Sequence, residues 1–172
     1  MDMVTGLKTT SAPIAVSFSV QEAGAGIFTQ GRVDLQLNPL DQEVFVVTAI
    51  NLDPAVPDAI AGSNTSVFAS LTTTSQTAVQ NLSTNACLAT AVIDIRAQGF
   101  VDGGVGFTRS SQDTPDTNLM YIGIIATNDF FCQIQGTNNA AGKILTGRLF
   151  GYRAKASASI YAALVQSEVL SS

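Results

Sequence analysis

Four aspartates in loop-like segments are the residues of this sequence best placed for carboxylate chemistry. They form two closely spaced pairs, Asp53 with Asp58 and Asp113 with Asp116. Paired carboxylates on loops can act as the acid and base of glycoside hydrolysis, and they can ligate calcium through oxygen. Prolines interrupt both segments, and aspartate beside proline usually forms turns. The four residues are therefore candidate metal ligands, with turn formation as the alternative.

The sequence lacks the side chains that most other kinds of catalysis require. The chain has no histidine, which removes the commonest general base and the commonest metal ligand. Its two cysteines, Cys87 and Cys132, are too few for a structural zinc site or a disulfide scaffold. We interpret them as two buried free thiols, with a single bridge as the alternative. No phosphate-binding or dinucleotide-binding glycine motif is present. The sequence therefore predicts a protein that is not an enzyme and has no cofactor.

Four of the eight basic residues are concentrated between positions 143 and 155: Lys143, Arg148, Arg153 and Lys155. In an extended strand, Arg153 and Lys155 share one face and Arg148 lies on the other. The charges either protect an edge strand from unwanted pairing or form an interface with an acidic protein, nucleic acid or lipid. The net charge of −5 argues against strong nucleic-acid binding by the whole surface. We therefore predict a basic edge or interface in this segment.

The composition is unusually poor in charge. Charged residues make up 12% of the chain, about half of the roughly 25% that is typical, whereas apolar residues are 46%. Either much of the surface faces other protein chains, or the protein is a monomer with a surface rich in serine and threonine. No apolar stretch is long enough to span a bilayer as a helix, and the first residues lack a signal-peptide pattern. We expect a protein that acts inside a cell or leaves it by another route, such as lysis.

One segment is predicted to be a central strand. Residues 43–52, "EVFVVTAINL", are apolar on both faces, which is typical of a strand covered on both sides. Its core positions are Val44, Phe45, Val46 and Val47. Pro54 and Pro57 then exclude regular structure.

Other short runs predict further strands, separated by turn residues. Residues 32–37 alternate strictly, with Val33, Leu35 and Leu37 on one face. Residues 119–127 and 130–135 predict a hairpin joined at Asn128 and Asp129, and residues 143–155 predict one long strand. The tail after residue 156 has helical spacing but could also form a last strand.

These elements predict an all-β protein, an antiparallel two-sheet sandwich of the jelly-roll type with about eight to ten strands and a short C-terminal helix. No long amphipathic helices alternate with the strands, so a parallel α/β sheet is excluded. Long loops suit the crossing connections of a jelly roll. We expect an N-terminal segment at 1–12, one jelly-roll domain at 13–156 and a C-terminal tail at 157–172.

The order of strands resembles that of the single jelly-roll capsid proteins of icosahedral viruses. The resemblance rests on pattern over nearly the whole chain, and the segments that carry it are 14–20, 32–37, 43–52, 88–97, 119–127, 130–135 and 143–155. It implies a capsid subunit that assembles with copies of itself, is made in the host cytoplasm and resides in the virion. Many such proteins carry a basic N-terminal arm, which this sequence lacks. The expected partners therefore include a second capsid protein or an internal membrane rather than the genome.

Two other classes of protein remain open. A tail-tube, decoration or filament protein would have the same composition. A carbohydrate-binding β-sandwich usually presents tryptophan or tyrosine to sugars, and this chain has no tryptophan and three tyrosines.

Overall fold

Two antiparallel sheets and one helix form the protein in a computed structural model that describes residues 6–97, 107–112 and 120–170. The first sheet, sheet A, has the strand order β1-β10-β4-β8, with β2 also paired to β10. The second, sheet B, has the order β3-β9-β5-β6-β7. The strands are β1 Leu7–Thr9, β2 Ile14–Gln21, β3 Thr29–Asp34, β4 Glu43–Pro54, β5 Thr65–Thr72, β6 Cys87–Arg96, β7 Phe107–Gln112, β8 Gly123–Ile125, β9 Asp129–Thr137 and β10 Ile144–Ala156. A 3-10 turn spans Pro39–Asp41, and helix α1 spans Ala158–Leu170.

The pairing of strands is that of a jelly roll. It is nested: β2 pairs with β10, β3 with β9, β4 with β8, and β5 with β6. An antiparallel ribbon that pairs in this way and then rolls up places its strands alternately in two facing sheets. The predicted jelly-roll sandwich is confirmed, and so is the short C-terminal helix.

The core lies between the sheets and also outside sheet A. Phe45 and Val47 point into the sandwich, where Phe18 and Phe130 meet edge to face with ring centroids 5.5 Å apart. Val44 and Val46 point the other way, into a second apolar cluster formed with α1. All four residues of this run are at most 1% exposed. Strand β4 is thus covered on both faces, which is why its sequence is continuously apolar.

A bulge divides β4 into two halves that differ in their surroundings. Gly151 pairs with Val47 and Phe150 pairs with Ala49, so Thr48 is the extra residue. An extra residue reverses which alternate side chains point outward. Before the bulge the outward residues are valines beneath α1, and after it they are exposed.

Helix α1 lies on the outer face of sheet A. The carbonyl of Ser157 accepts the first helical hydrogen bond, from Tyr161 N (2.8 Å), and Ser157 N donates to Gly6 O (3.1 Å). Ile160 occupies the space that a side chain at Gly6 would need. The described part of the N-terminal segment, from Gly6 onward, and helix α1 therefore both pack against the jelly roll.

The predicted hairpin at Asn128 and Asp129 is wrong. Strand β8 has only three residues and belongs to sheet A, whereas β9 belongs to sheet B. Asn128 instead holds the loop after β3, because its carbonyl accepts from Leu35 N (2.8 Å) and its side chain accepts from Leu37 N. Turn-forming residues were present, but each strand finds its partners elsewhere in the sequence.

The strand predicted at 32–37 is displaced. It runs over Thr29–Asp34, and its ladder stops because Gln36 adopts a left-handed backbone conformation, with Gln36 N donating to Asp34 Oδ1 (2.9 Å). Leu35 and Leu37 are nevertheless buried in the core as the alternation indicated.

Candidate functional site

The four basic residues of the segment 143–155 are separated by the fold rather than gathered. Strand β10 pairs with β2 and β1 on one side and β4 on the other, so it is interior. The interpretation of its charges as protection of a sheet edge is therefore wrong. Lys143 lies at one end of the sandwich, and Arg153 and Lys155 lie at the opposite end.

Two of these cations are engaged in ion pairs. Lys143 Nζ lies 2.6 Å from Asp58 Oδ1, and Arg153 Nη1 lies 2.8 Å from Glu43 Oε1. Arg153 also donates to the carbonyls of Leu35 and Gln36 (2.8 and 3.0 Å), so it joins the loop after β3 to sheet A. These contacts join the loops after β3 and β4 to β10 and to the residues just before it.

The other two cations are exposed. Lys155 stands in register between Lys8 and Glu43, and Arg148 lies on the open outer face of sheet A. Arg148 is the member of the set that faces solvent beside an aromatic ring.

The candidate metal ligands do not converge. Asp58 is held by Lys143 and accepts from Ala140 N (2.8 Å), and these contacts lower its pKa below its ordinary value. Asp53 is exposed on sheet A in register with Thr146, and Asp113 and Asp116 lie outside the described residues. Within 6–97, 107–112 and 120–170 no group of three or more acidic, histidine or cysteine side chains could hold a metal ion.

Both cysteines are free and buried, as predicted. Burial raises the pKa of the Cys132 thiol to about 11 and also raises that of Cys87. Because the thiolate is the reactive form, neither is suited to act as a nucleophile.

An open groove occupies the half of sheet A that α1 leaves uncovered. It is open to solvent rather than enclosed, and its volume above β2, β10 and β4 is about 710 Å³. Its floor includes Phe150, Arg148 and Thr146, which follow one another on the outer face of β10. Neighbouring strands contribute serine, asparagine and aspartate.

A buried carboxylate near the end of α1 binds the helix to the segment that follows β8. Glu168 is 8% exposed, and its two oxygens accept from Ala126 N (2.7 Å) and Thr127 N (3.1 Å). These donors lie just after β8, which has ended its ladder. Sequence reasoning missed this residue, although it is the one charged side chain in an otherwise uncharged helix.

The outer face of sheet B is partly covered by the loop at 73–86. Gln133 is fully buried there; it accepts from Ser70 Oγ (2.6 Å) and donates to Thr72 Oγ1 (2.7 Å) and Gln30 Oε1 (2.9 Å). The loop joins this network through Gln80 N, which donates to Ser70 Oγ (3.1 Å). A satisfied network of this kind fixes the loop in one position.

A long stretch of sequence on that side of the molecule contains no charged residue. Residues 59–93 contain no Asp, Glu, Lys or Arg, and they form β5, the covering loop and most of β6. Phe68 and Leu82 are 38% and 55% exposed on it. A groove of about 490 Å³ runs between Phe68, Val79 and Val92.

No described helix is long and apolar enough to cross a membrane. The outer faces of the two sheets differ in the residues that they present. The fold belongs to the class of antiparallel jelly-roll sandwiches.

Comparisons with known proteins add little to this description. No protein-family model matches the chain, and no curated protein matches it in sequence. Among solved structures, one of Desmodium yellow mottle tymovirus is similar, with 16% identity, 92% of this chain and 98% of that chain covered, and a TM-score of 0.31. A likeness at this TM-score and identity carries no weight for function.

Proposed function

We propose that the chain is a structural protein of a virus particle, a capsid subunit that assembles with copies of itself into an icosahedral shell. It would be made in the host cytoplasm and reside in the virion. The observation that carries the proposal is the uncharged side of a jelly roll: residues 59–93, which form β5, the covering loop and most of β6 in sheet B, contain no charged residue. A surface of that kind, with exposed Phe68 and Leu82, is suited to contact with other protein chains rather than with water.

The rest of the described molecule supports the same proposal. Four of the eight basic residues lie beside acidic side chains: Arg32 is bound to Asp129 (2.6 Å) and Arg96 lies 3.4 Å from Asp94, in addition to the pairs at Lys143 and Arg153. Such a surface has little excess positive charge for packaged nucleic acid. The proposal therefore includes, as a further partner, a second capsid protein or an internal membrane.

A substitution within the uncharged side tests the proposal. Leu82→Asp places a charge where a neighbouring copy would bury it, so the concentration needed for assembly should rise at least about tenfold. Leu40→Asp is the control, because Leu40 is 92% exposed and lies beside Asp41. Sedimentation velocity would measure assembly, and circular dichroism would verify that both variants fold. Equal assembly of the two variants would contradict an interface at Leu82.

A tail-tube, decoration or filament protein is the second candidate, because the same uncharged side would serve it. Open tubes or threads in place of closed shells would favour it.

A further inference from the structure

We propose that the open groove on sheet A binds a neutral oligosaccharide. This binding site is separate from the contacts between copies proposed above, which lie on the opposite sheet. The inference rests on the register of three strands, which arranges side chains of complementary chemistry in rows.

The first row presents an aromatic ring. Phe150 is 36% exposed and pairs in register with Ala15 on one side and Ala49 on the other, and both alanines are exposed. Because its neighbours carry only methyl groups, nothing in these two flanking positions rises to cover the ring. An exposed ring beside short side chains can stack on the C–H face of a sugar, much as aromatic side chains bury other apolar surface.

The next two rows present hydrogen-bonding groups. Arg148 pairs with Ser17 and Asn51, and Thr146 pairs with Ser19 and Asp53. Ser17, Asn51, Ser19 and Asp53 are all exposed. Guanidinium, amide, carboxylate and hydroxyl groups together supply both donors and acceptors, which is what neighbouring sugar hydroxyls require. In the described part of the chain, the side chains of Arg148 and Asp53 make no ion pair, so both are available to a ligand.

The charged side chains of the groove indicate which class of ligand it can bind. Arg148 and Asp53 carry opposite charges, so the floor favours neither a polyanion nor a cation. Nucleic acid would need an excess of basic groups. A peptide that binds by adding a strand would need unpaired backbone groups at a sheet edge, and β10 is interior with partners on both sides. A neutral ligand that is recognised by side chains alone satisfies these conditions.

The dimensions fit a short oligosaccharide. The three rows span about 13 Å along β10 and about 10 Å across the strands. The volume of about 710 Å³ lies within the roughly 300–1,000 Å³ of typical ligand sites. Among the residues that the structure describes, Asp53 alone contributes a carboxylate to the groove, whereas glycoside hydrolysis uses two. The site would therefore bind a sugar chain without cleaving it.

Calorimetric titration of the full chain with defined probes tests the proposal. The probes are maltohexaose, cellohexaose, chitohexaose and mannohexaose, with a twenty-nucleotide single-stranded DNA as the polyanionic alternative. At least one oligosaccharide should bind with a measurable dissociation constant. Phe150→Ala should weaken that affinity about two- to tenfold through lost stacking. Arg148→Ala should weaken it about tenfold or more.

The matched control is Tyr121→Ala, which removes a ring of nearly the same exposure, 39%, at a position outside the groove. The affinity of this control variant for the oligosaccharide should equal that of the unmodified protein. Binding of none of the oligosaccharides, or binding that Phe150→Ala and Arg148→Ala leave unchanged, would overturn the proposal. Binding of the DNA alone, lost in Arg148→Ala, would overturn it as well. Since Phe150 and Arg148 lie on sheet A, the assembly of Phe150→Ala and Arg148→Ala, measured in parallel, remains an independent test of the capsid proposal.

Discussion

Glu168→Gln is the substitution that should most clearly separate α1 from the sheet beneath it. The Glu168 carboxylate accepts two backbone N–H groups, at 2.7 and 3.1 Å, from a position that is 8% exposed. Glutamine keeps the size and the helix propensity. However, it has one acceptor oxygen, and its NH₂ group would face the second N–H.

The magnitude follows from two opposing effects. Losing a charge-assisted hydrogen bond and leaving one buried donor unpaired costs about 1.5–3 kcal/mol. A carboxylate in the last turn of a helix is disfavoured by the helix dipole, so removing its charge returns about 0.5 kcal/mol. The net loss in the free energy of unfolding is then about 1–2.5 kcal/mol. For a chain of this size that corresponds to a melting temperature lower by about 2–10 °C.

The assay combines urea unfolding with amide hydrogen exchange. The urea midpoint should fall by roughly 1 M, and the amides of Ala126 and Thr127 should lose protection. Gln166→Ala, at an exposed position of the same helix, should stay within about 0.5 kcal/mol. If Glu168→Gln unfolds like this control while Ala126 and Thr127 keep their protection, the carboxylate does not fasten the helix.

Three further predictions concern the core, one loop and the thiols. Phe45→Asp puts an unpaired charge at a position that is 1% exposed, which should cost several kcal/mol; soluble, monodisperse protein would contradict this. Because folding lowers the pKa of Asp58, its contact with Lys143 should stabilise the protein above the unfolded pKa, near 3.8. That stability should be lost as the pH falls through the lower folded value; an acid unfolding midpoint unchanged in Asp58→Asn would refute this. Cys132 and Cys87 should react with a thiol reagent only after unfolding, and rapid labelling of the native protein would disprove their burial.

Alternation and apolar runs were enough to predict the class of fold. Strand β4 could be assigned as central because four successive residues, from Val44 to Val47, are apolar, and only a strand covered on both faces tolerates that. What the sequence could not show is that the outer cover is the protein's own helix. That contact joins residues more than a hundred positions apart, and no local pattern encodes it.

Residues that favour a turn gave a wrong prediction where the pairing of distant strands determines the structure. Asn128 and Asp129 favour a tight turn, yet the flanking strands lie in different sheets because each completes a different ladder. The bulge at Thr48 was equally hidden, since one extra residue changes the face of every later side chain without altering the composition. For this reason the groove with Arg148, Asn51 and Asp53 emerges only from the register of the three strands.

The most direct test of the central claim is negative-stain electron microscopy of the purified chain over a range of salt and protein concentrations, with light scattering on the same samples. Closed shells, or rings with fivefold and sixfold symmetry, are the predicted result. A protein that stays monomeric at high concentration, both alone and with proteins co-purified from its source, would contradict a capsid role.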